Sequence, residues 1–267
     1  MTDEIAHVVM FSGGVGSWAA AKRVAAQHGL ARLTLLFMDT LMEDEDLYRF
    51  LDEAAADVGV PLTRIAEGRT PWQVFEDERF LGNSRIDPCS RILKRELADR
   101  WLKQHCDPEK TRVHAGIDWS ESHRFTRMAA RYAARGWTVT APLCAPPYLL
   151  KQEMLQALRR AGITPPRLYS LGFSHNNCGG FCVKAGQGHF ARLLKTLPDR
   201  YAYHEQKEQD IRTQLGDVAI MVEQEDEDRR PLTMRALRLR TESGQQPDLF
   251  DVGGCGCFVD VEEDVVD

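Results

Sequence analysis

Residues 11–19 read FSGGVGSWA, a glycine-rich stretch that follows the apolar run Ile5 to Phe11 and opens a helical pattern. A strand that runs into such a turn and then a helix exposes backbone N–H groups at the positive end of the helix dipole. An anion of the phosphate kind is therefore expected there. Two parses compete. From Gly14 the stretch gives Gly14-x-Gly16-x-x-Ala19, a dinucleotide fingerprint, and Asp39 ends the next apolar run about where a ribose-binding acid belongs. From Ser12 it gives Ser-Gly-Gly-x-x-Ser, a pyrophosphate-gripping loop in which Ser12 and Ser17 add hydroxyl donors to the amides of Gly13, Gly14, Val15 and Gly16. A Walker A loop is excluded, because no Gly-Lys-Ser/Thr follows and Lys22 is already a turn into the helix.

Working outward, short apolar runs alternate with helical patterns, the signature of a mostly parallel sheet covered by helices. Strands are expected at Ile5 to Phe11, Leu33 to Met38, Leu62 to Ala66, Arg112 to Ile117 and Trp137 to Pro142. Helices are expected at Ser17 to His28, Asp44 to Val58, Pro71 to Glu78, Arg91 to His105 and Ser120 to Arg135. The fold class is α/β, a doubly wound sheet of five to six strands with a helical C-terminal extension. Three segments are expected: a nucleotide-binding unit over 1–150, a helical extension over 151–241 and an acidic tail over 242–267. In the extension, Lys151 to Ala161, His189 to Leu197 and Tyr201 to Leu215 read as helices, and Asp217 to Val222 as a late strand. EQEDEDRRP reads as a charged, solvated connection, and Glu43 to Glu53 as a solvated helix with Leu47, Phe50 and Leu51 on its inner face.

The 267 residues are about 43% apolar, enough for one main core. The net charge of −6 is concentrated in residues 251–267, which hold six acids and no base. That leaves no global basic footprint for nucleic acid, although Arg85, Arg91, Lys94, Arg95, Arg124, Arg127 and Arg131 offer a local groove. No apolar run approaches the roughly 18–20 residues of a membrane span, and the N-terminus lacks a basic signal start. A cytoplasmic protein with no membrane partner is expected. In a reducing compartment the seven cysteines point to metal or sulfur chemistry rather than disulfides, with Cys178-x-x-x-Cys182 and Cys255-x-Cys257 as tight pairs. Cys106 and Cys144 read as ordinary thiols, and Trp18 as packing.

Five further segments bear on the two parses. LLFMDT followed by LYRFLDEAAADVGV, PCSRILK (Pro88 to Lys94), GIDWSESHR (Gly116 to Arg124), APL, and GITPPRLYSLGFSHNNCGGFC resemble, in order, segments of the PP-loop enzymes of the phosphoadenylylsulfate (PAPS) reductase type. The resemblance spans roughly residues 5–182 and implies an adenine nucleotide alpha hydrolase-like fold. It differs in three places. The usual loop is Ser-Gly-Gly-x-Asp-Ser, and Gly16 stands where the acid would be; Cys178 and Cys182 are three residues apart rather than two; and CGCF is not a reductase tail.

What the resemblance implies is an ATP pyrophosphatase that works with Mg2+ in sulfur incorporation, cleaving between the α and β phosphates. Ser12 to Ser17 would hold the β,γ-phosphates, and Asp39, Gly116 and Glu121 would border the nucleotide. Lys94 and Arg124 would neutralise charge, and Cys89 would act in sulfur handling. A 4Fe-4S cluster on Cys89, Cys178, Cys182 and Cys255 or Cys257 is expected, with a structural Zn2+ on Cys178, Cys182, Cys255 and Cys257 as the alternative. His175 and His189 bracket the first pair. A cysteine desulfurase is the expected sulfur donor, and DNA (phosphorothioation) or tRNA the acceptor; a homodimer is among the expected assemblies. The alternatives are a thiol-dependent PAPS or sulfonucleotide reductase, a nucleotide-dependent oxidoreductase on the dinucleotide parse, and a non-catalytic nucleotide sensor.

Overall fold

The computed structural model describes residues 5–83, 85–225, 228–246, 248, 251 and 253. Five strands alternate with helices: β1 (Ala6–Met10), α1 (Val15–His28), β2 (Leu33–Asp39), α2 (Glu45–Val58), β3 (Leu62–Ala66), α3 (Pro71–Glu78), α4 (Pro88–Ser90), α5 (Leu97–His105), β4 (Thr111–Ala115), α6 (Ser122–Ala133) and β5 (Thr138–Thr140). The sheet order is β3-β2-β1-β4-β5 and every pairing is parallel, with His7 opposite Leu33 on one side and Arg112 on the other. The expected doubly wound α/β architecture is present. Alternation along β1 sends Val9 and Phe11 to a core with α1 and α2, and Val8 and Met10 to a core with α5 and α6. Burial on both faces explains why β1 reads as an apolar run broken only by His7. Chain order reverses between β1 and β4, and a crevice beyond the carboxyl ends of those strands is where open α/β sheets bind ligands.

Local chemistry sets the helix ends. Asp44 caps α2 by accepting from the Asp46 N–H at 3.0 Å, and Gly59 ends it in the left-handed region at φ 94°. Thr70 and Gln73 form a reciprocal capping box on α3, with Pro71 in its first turn. The helix expected over Arg91 to His105 is interrupted: Arg91–Glu96 is a π-helical turn, and its wider winding turns Lys94 and Arg95 into the interior.

In the extension, α7 (Lys151–Arg160) belongs to the α1 core through Met154 and Leu158. A second core lies under α8 (Arg167–Ser170), α9 (Gln187–Thr196), α10 (Pro198–Leu215) and α11 (Met234–Glu242), joined by Trp72 and Phe75 of α3. Two expectations need correction. The late strand is Met221–Glu225, here β6, and it pairs antiparallel with Asp228–Leu232, β7, in a separate two-stranded sheet rather than adding to the main one. The charged stretch expected as a connection is thus mostly strand, because Leu232 opposite Met221 gives the hairpin an apolar anchor in the second core. Of the tail, Asp251 and Gly253 are docked. The Asp251 carboxylate accepts from Gln187 N at 3.0 Å and its carbonyl from Gly188 N at 2.9 Å, so it caps α9 from 64 residues away.

Candidate active site

The β1–α1 loop lies at the β1/β4 switch point. Gly13 takes φ +77°, with Leu47 and Leu51 where a side chain would be, so only glycine fits there. Gly14 is the N-cap of α1 and supplies no side-chain cap. Among the described residues the N–H groups of Gly13, Gly14 and Gly16 meet no protein acceptor, and Val15 N–H donates to the Tyr169 hydroxyl at 3.2 Å. Ser17 is buried and donates to the Gly14 carbonyl at 2.8 Å, so its hydroxyl braces the loop. Ser12 is half-buried at the loop's entrance. The result is a concave row of amides at the N-terminus of a fourteen-residue helix, suited to a phosphate group.

Gly16 has a steric reason. A Cβ there would stand 2.7 Å from the Gly116 carbonyl oxygen, and a Cβ on Gly116 would stand 2.6 Å from both N and Cα of Ser17. The first turn of α1 and the chain leaving β4 pack backbone to backbone at this point. An aspartate at 16 therefore has no room, and any carboxylate for a metal ion must come from elsewhere in the cleft.

Opposite the loop stand residues from the extension. Asn176, buried at 2% exposure, donates through Nδ2 to the Gly13 carbonyl at 3.4 Å, and its Oδ1 is buried without a partner. That bond also settles the amide's orientation, since a flip would set oxygen against oxygen. An unpaired buried carbonyl is costly, on the order of 1–3 kcal/mol, and a donor on a bound molecule would relieve it. The Lys151 ammonium lies 4.7 Å from the Tyr169 ring centre and donates to the Ser174 carbonyl. Desolvation lowers its pKa, against the opposing pull of Glu121 and Asp118. His175 is held down to about 4 by burial, then by His189, Lys151 and Arg124, so it is neutral at physiological pH. Arg124 pairs with Glu121 across one helical turn. Lys151, His175, Arg124 and Glu121 thus share one electrostatic neighbourhood beside the loop.

Asp39 is buried at the end of β2, where its carboxylate is satisfied by the protein. Oδ1 accepts from Leu41 N at 2.8 Å and Tyr48 Oη at 2.9 Å, and Oδ2 from Arg64 Nε at 2.8 Å and from Arg64 Nη2. Burial, then the Asp39 bond, pushes the Tyr48 phenol well above its ordinary range, so it remains a donor. The Arg64 guanidinium lies 4.3 Å from the Tyr48 ring centre, forming a half-exposed planar shelf at the strand edge.

Lys94 lies deeper. It faces Glu43 at 3.7 Å, both buried; Glu43 also accepts from Thr40 Oγ1 at 3.0 Å and from the Cys178 amide. Arg91 is instead at the surface between Glu78 and Glu96. The acidic run from Glu43 is solvated only in part: Glu43 and Asp44 are buried, and Asp44 binds Arg167 Nε at 2.8 Å and Arg200 Nη1 at 2.9 Å. Those arginines are more than 120 residues downstream, so the sequence offered no sign of the pairing.

Of the cysteines, Cys182 is buried in the second core, Cys178 is half-buried at φ 48°, and Cys89 is half-buried against Val74, Ile92 and Leu93. Among the described residues no group of three or more His, Cys, Asp or Glu side chains is placed to hold a metal ion, so Cys89, Cys178 and Cys182 do not make a cluster site by themselves. Cys255 and Cys257 lie outside the described residues. Burial raises the pKa of Cys106 and Cys144, which suits inert thiols. Trp18 is packed in the α1 core with its indole N–H on Asp57 at 2.8 Å. Asn176, Tyr169 and Lys151 were not among the expected site residues, although the first two sit in the PRLYSLGFSHNNC segment that carried part of the resemblance, and Glu43 was read only as part of a solvated helix. No helix among the described residues is long and apolar enough to cross a membrane.

No family model matches the chain, and no curated protein matches it. Among solved structures, the chain is similar to phosphoadenylyl-sulfate (PAPS) reductase from Candida auris in a phosphate complex, at 14% identity over 64% of this chain and 79% of that one, TM-score 0.43. It is also similar to the NH3-dependent NAD synthetase from Campylobacter jejuni subsp. jejuni NCTC 11168 in complex with the nitrate ion, at 12% identity over 79% of this chain and 83% of that one, TM-score 0.39. The functional reading rests on the cleft and the sequence motifs.

Proposed function

We propose that the protein is an ATP pyrophosphatase in sulfur incorporation, activating a nucleic-acid oxygen as an adenylate. The observation that carries the nucleotide part is the amide row of Gly13, Gly14 and Gly16 at the switch point, faced by the unpartnered Asn176 Oδ1. Phosphate oxygens are acceptors at neutral pH, so they suit the amides and not Asn176; a ligand that satisfies both carries hydroxyl or amino donors as well as phosphates, as a nucleotide does. The motif order from residue 5 to 182 supports the sulfur part of the reading.

In this reading the loop amides and Ser12 hold the β,γ-phosphates. Arg124 and Lys151 offset charge on the pyrophosphate, and Asp39 acts as a positioning residue by fixing the Arg64–Tyr48 shelf against the nucleoside. The acceptor oxygen attacks the α-phosphorus, the α–β bridging bond breaks and pyrophosphate leaves with its electron pair. The terminal sulfur of a persulfide delivered by a cysteine desulfurase then displaces AMP, and a second thiol, as reductant, cleaves the resulting S–S bond, leaving the thio group on the acceptor and a disulfide on the donor. The protein's share is mostly placement and charge neutralisation at the loop. Asp118, which caps its own turn, and Glu121, which pairs with Arg124, are the carboxylates of the β4–α6 segment that would hold Mg2+, and the ion when bound would supply further charge neutralisation on the phosphates. No step is assigned to an iron-sulfur or zinc centre, since the described cysteines do not assemble one.

Incubation with α-labelled ATP tests the reading. AMP and pyrophosphate in equal amounts are expected, increased by an acceptor strand. No α–β cleavage, together with sulfite release from PAPS, would replace it with the reductase, and retained NAD(P) would replace it with the dinucleotide enzyme.

A further inference from the structure

Three exposed apolar side chains stand together at the rim of the cleft. Trp119 is 42% exposed, Tyr148 56% and Leu150 57%. They are held in place rather than left loose. The Asp118 carboxylate caps the short turn Trp119–Glu121 through Ser120 N at 2.9 Å and also accepts from Ser120 Oγ at 2.6 Å. The Trp119 indole N–H donates to the Leu149 carbonyl at 3.2 Å, tying its turn to the neighbouring segment. Arg23 donates to the carbonyls of Pro142, Ala145 and Pro147 at 2.6, 2.9 and 2.7 Å, which braces the loop that presents Tyr148. The two rings lie 5.9 Å apart at 57°, with their outer faces turned to no other ring among the described residues. Burying neither ring while fixing both is costly for folding alone, and such a patch marks a binding surface.

The neighbouring charge says what binds. Trp119 leads directly into α6, whose sequence SHRFTRMAARYA contains no acid. Arg124, Arg127 and Arg131 follow at three- and four-residue spacing, so they line one side of the helix. Arg135 continues the line beyond its end, paired with Asp99. Arg127 is exposed, while the acids nearest the platform are engaged, Asp118 by its turn and Glu121 by Arg124. From Arg124 to Arg135 the stripe runs about 17 Å, long enough for several phosphates of a strand. The platform is also close to the loop in the chain, because Gly116, which packs on Gly16, precedes Trp119 by three residues.

We propose that Trp119 and Tyr148 form a stacking platform for an unpaired base of single-stranded nucleic acid, whose backbone then follows the arginine side of α6. The proposal rests on the nucleic-acid acceptor read above and names where that acceptor docks. Bases stacked inside a duplex cannot present a face to the rings, so the site selects single strands or extruded bases, and the stacking itself is tolerant of sequence. DNA and RNA share this chemistry.

The test is fluorescence anisotropy of the full chain with labelled twelve-nucleotide DNA and RNA strands and the matching blunt duplex. Both or either single strand should bind, and the duplex at least about tenfold more weakly. Trp119→Ala and Tyr148→Ala should each weaken strand binding by about tenfold, the size of one lost base stack, while Trp119→Phe retains most of it. Arg127→Ala should weaken binding and reduce the salt slope by about one counterion. Melting temperatures check that each variant folds, and the tenfold loss is read only from those that melt like the parent. Equal binding of strand and duplex, no strand binding, or wild-type affinity in both Trp119→Phe and the alanine variants overturns the proposal; a protein surface at this site would give the second result. Strand binding without ATP cleavage would sink the pyrophosphatase reading and leave the platform standing, and cleavage without strand binding would do the reverse.

Discussion

Replacing Gly116 by alanine probes the contact that places the phosphate loop. The added methyl would lie 2.6 Å from Ser17 N, 2.6 Å from Ser17 Cα and 2.9 Å from Gly16 C, all backbone atoms of the first turn of α1. No flexible side chain is available to move aside. Restoring an ordinary contact of 3.4 Å requires a shift of about 0.8 Å, which must come from the helix start or the strand end. Overpacking of this kind costs about 1–3 kcal/mol, and the stiffer unfolded chain returns about 0.4–1 kcal/mol. A net loss of about 1–2 kcal/mol would lower Tm by about 2–8 °C for a chain of this size. The larger effect should be on chemistry, because a misplacement near 1 Å costs about a hundredfold in rate. Pyrophosphate release from saturating ATP should therefore fall about 30- to 100-fold. A variant that cleaves ATP within twofold of the parent and melts at the same temperature would refute the claim that this contact sets the loop. Gly16→Asp should behave in the same way, losing activity rather than gaining it.

Asn176→Leu removes the buried unpartnered oxygen and should leave the ligand-free protein as stable or slightly more stable, while weakening ATP binding by about tenfold; calorimetric titration and melting curves that move together would contradict this. Stability should decline in acid. Burial, with His7 and His28 adding, holds His114 at about 4 against 6.5, and burial with Arg200 holds His204 at about 3. A depressed histidine is fully compatible with folding above pH 6.5 and favours the unfolded chain as pH falls toward its native value. His114 alone would then account for on the order of 3 kcal/mol between pH 6.5 and 4, read as a falling urea midpoint that His114→Gln flattens. Asp44→Ala leaves Arg167 and Arg200 without their carboxylate and α2 without its cap, and should cost about 2–4 kcal/mol in chemical denaturation.

Much of the main sheet was legible because its evidence is local. Apolar runs alternating with helical patterns mark β1 to β5, and Gly59 marks the end of α2. The reading failed where the deciding contact is distant. The π-helical turn at Arg91–Glu96 has no sequence mark distinct from that of a helix, and the partners its winding brings to Lys94 and Arg95, Glu43 and Asp87, include one about fifty residues away in the chain. The charged stretch of β6 and β7 became a hairpin because its Met221 and Leu232 reach a core built from other segments.

The same division runs through the site. From sequence alone came the phosphate-suited loop at Ser12 to Ser17, the α/β class and the order of motifs, since glycine spacing and hydrophobic period are properties of neighbouring residues. Tertiary structure decided the rest. It set Gly16 against Gly116, which explains the missing acid; it engaged Asp39 with Tyr48 and Arg64; and it brought Asn176, Lys151 and Tyr169 from the extension to the loop. Those choices depend on which side chains meet after the chain has closed around its cores, and no spacing in one dimension encodes a contact between residues 13 and 176.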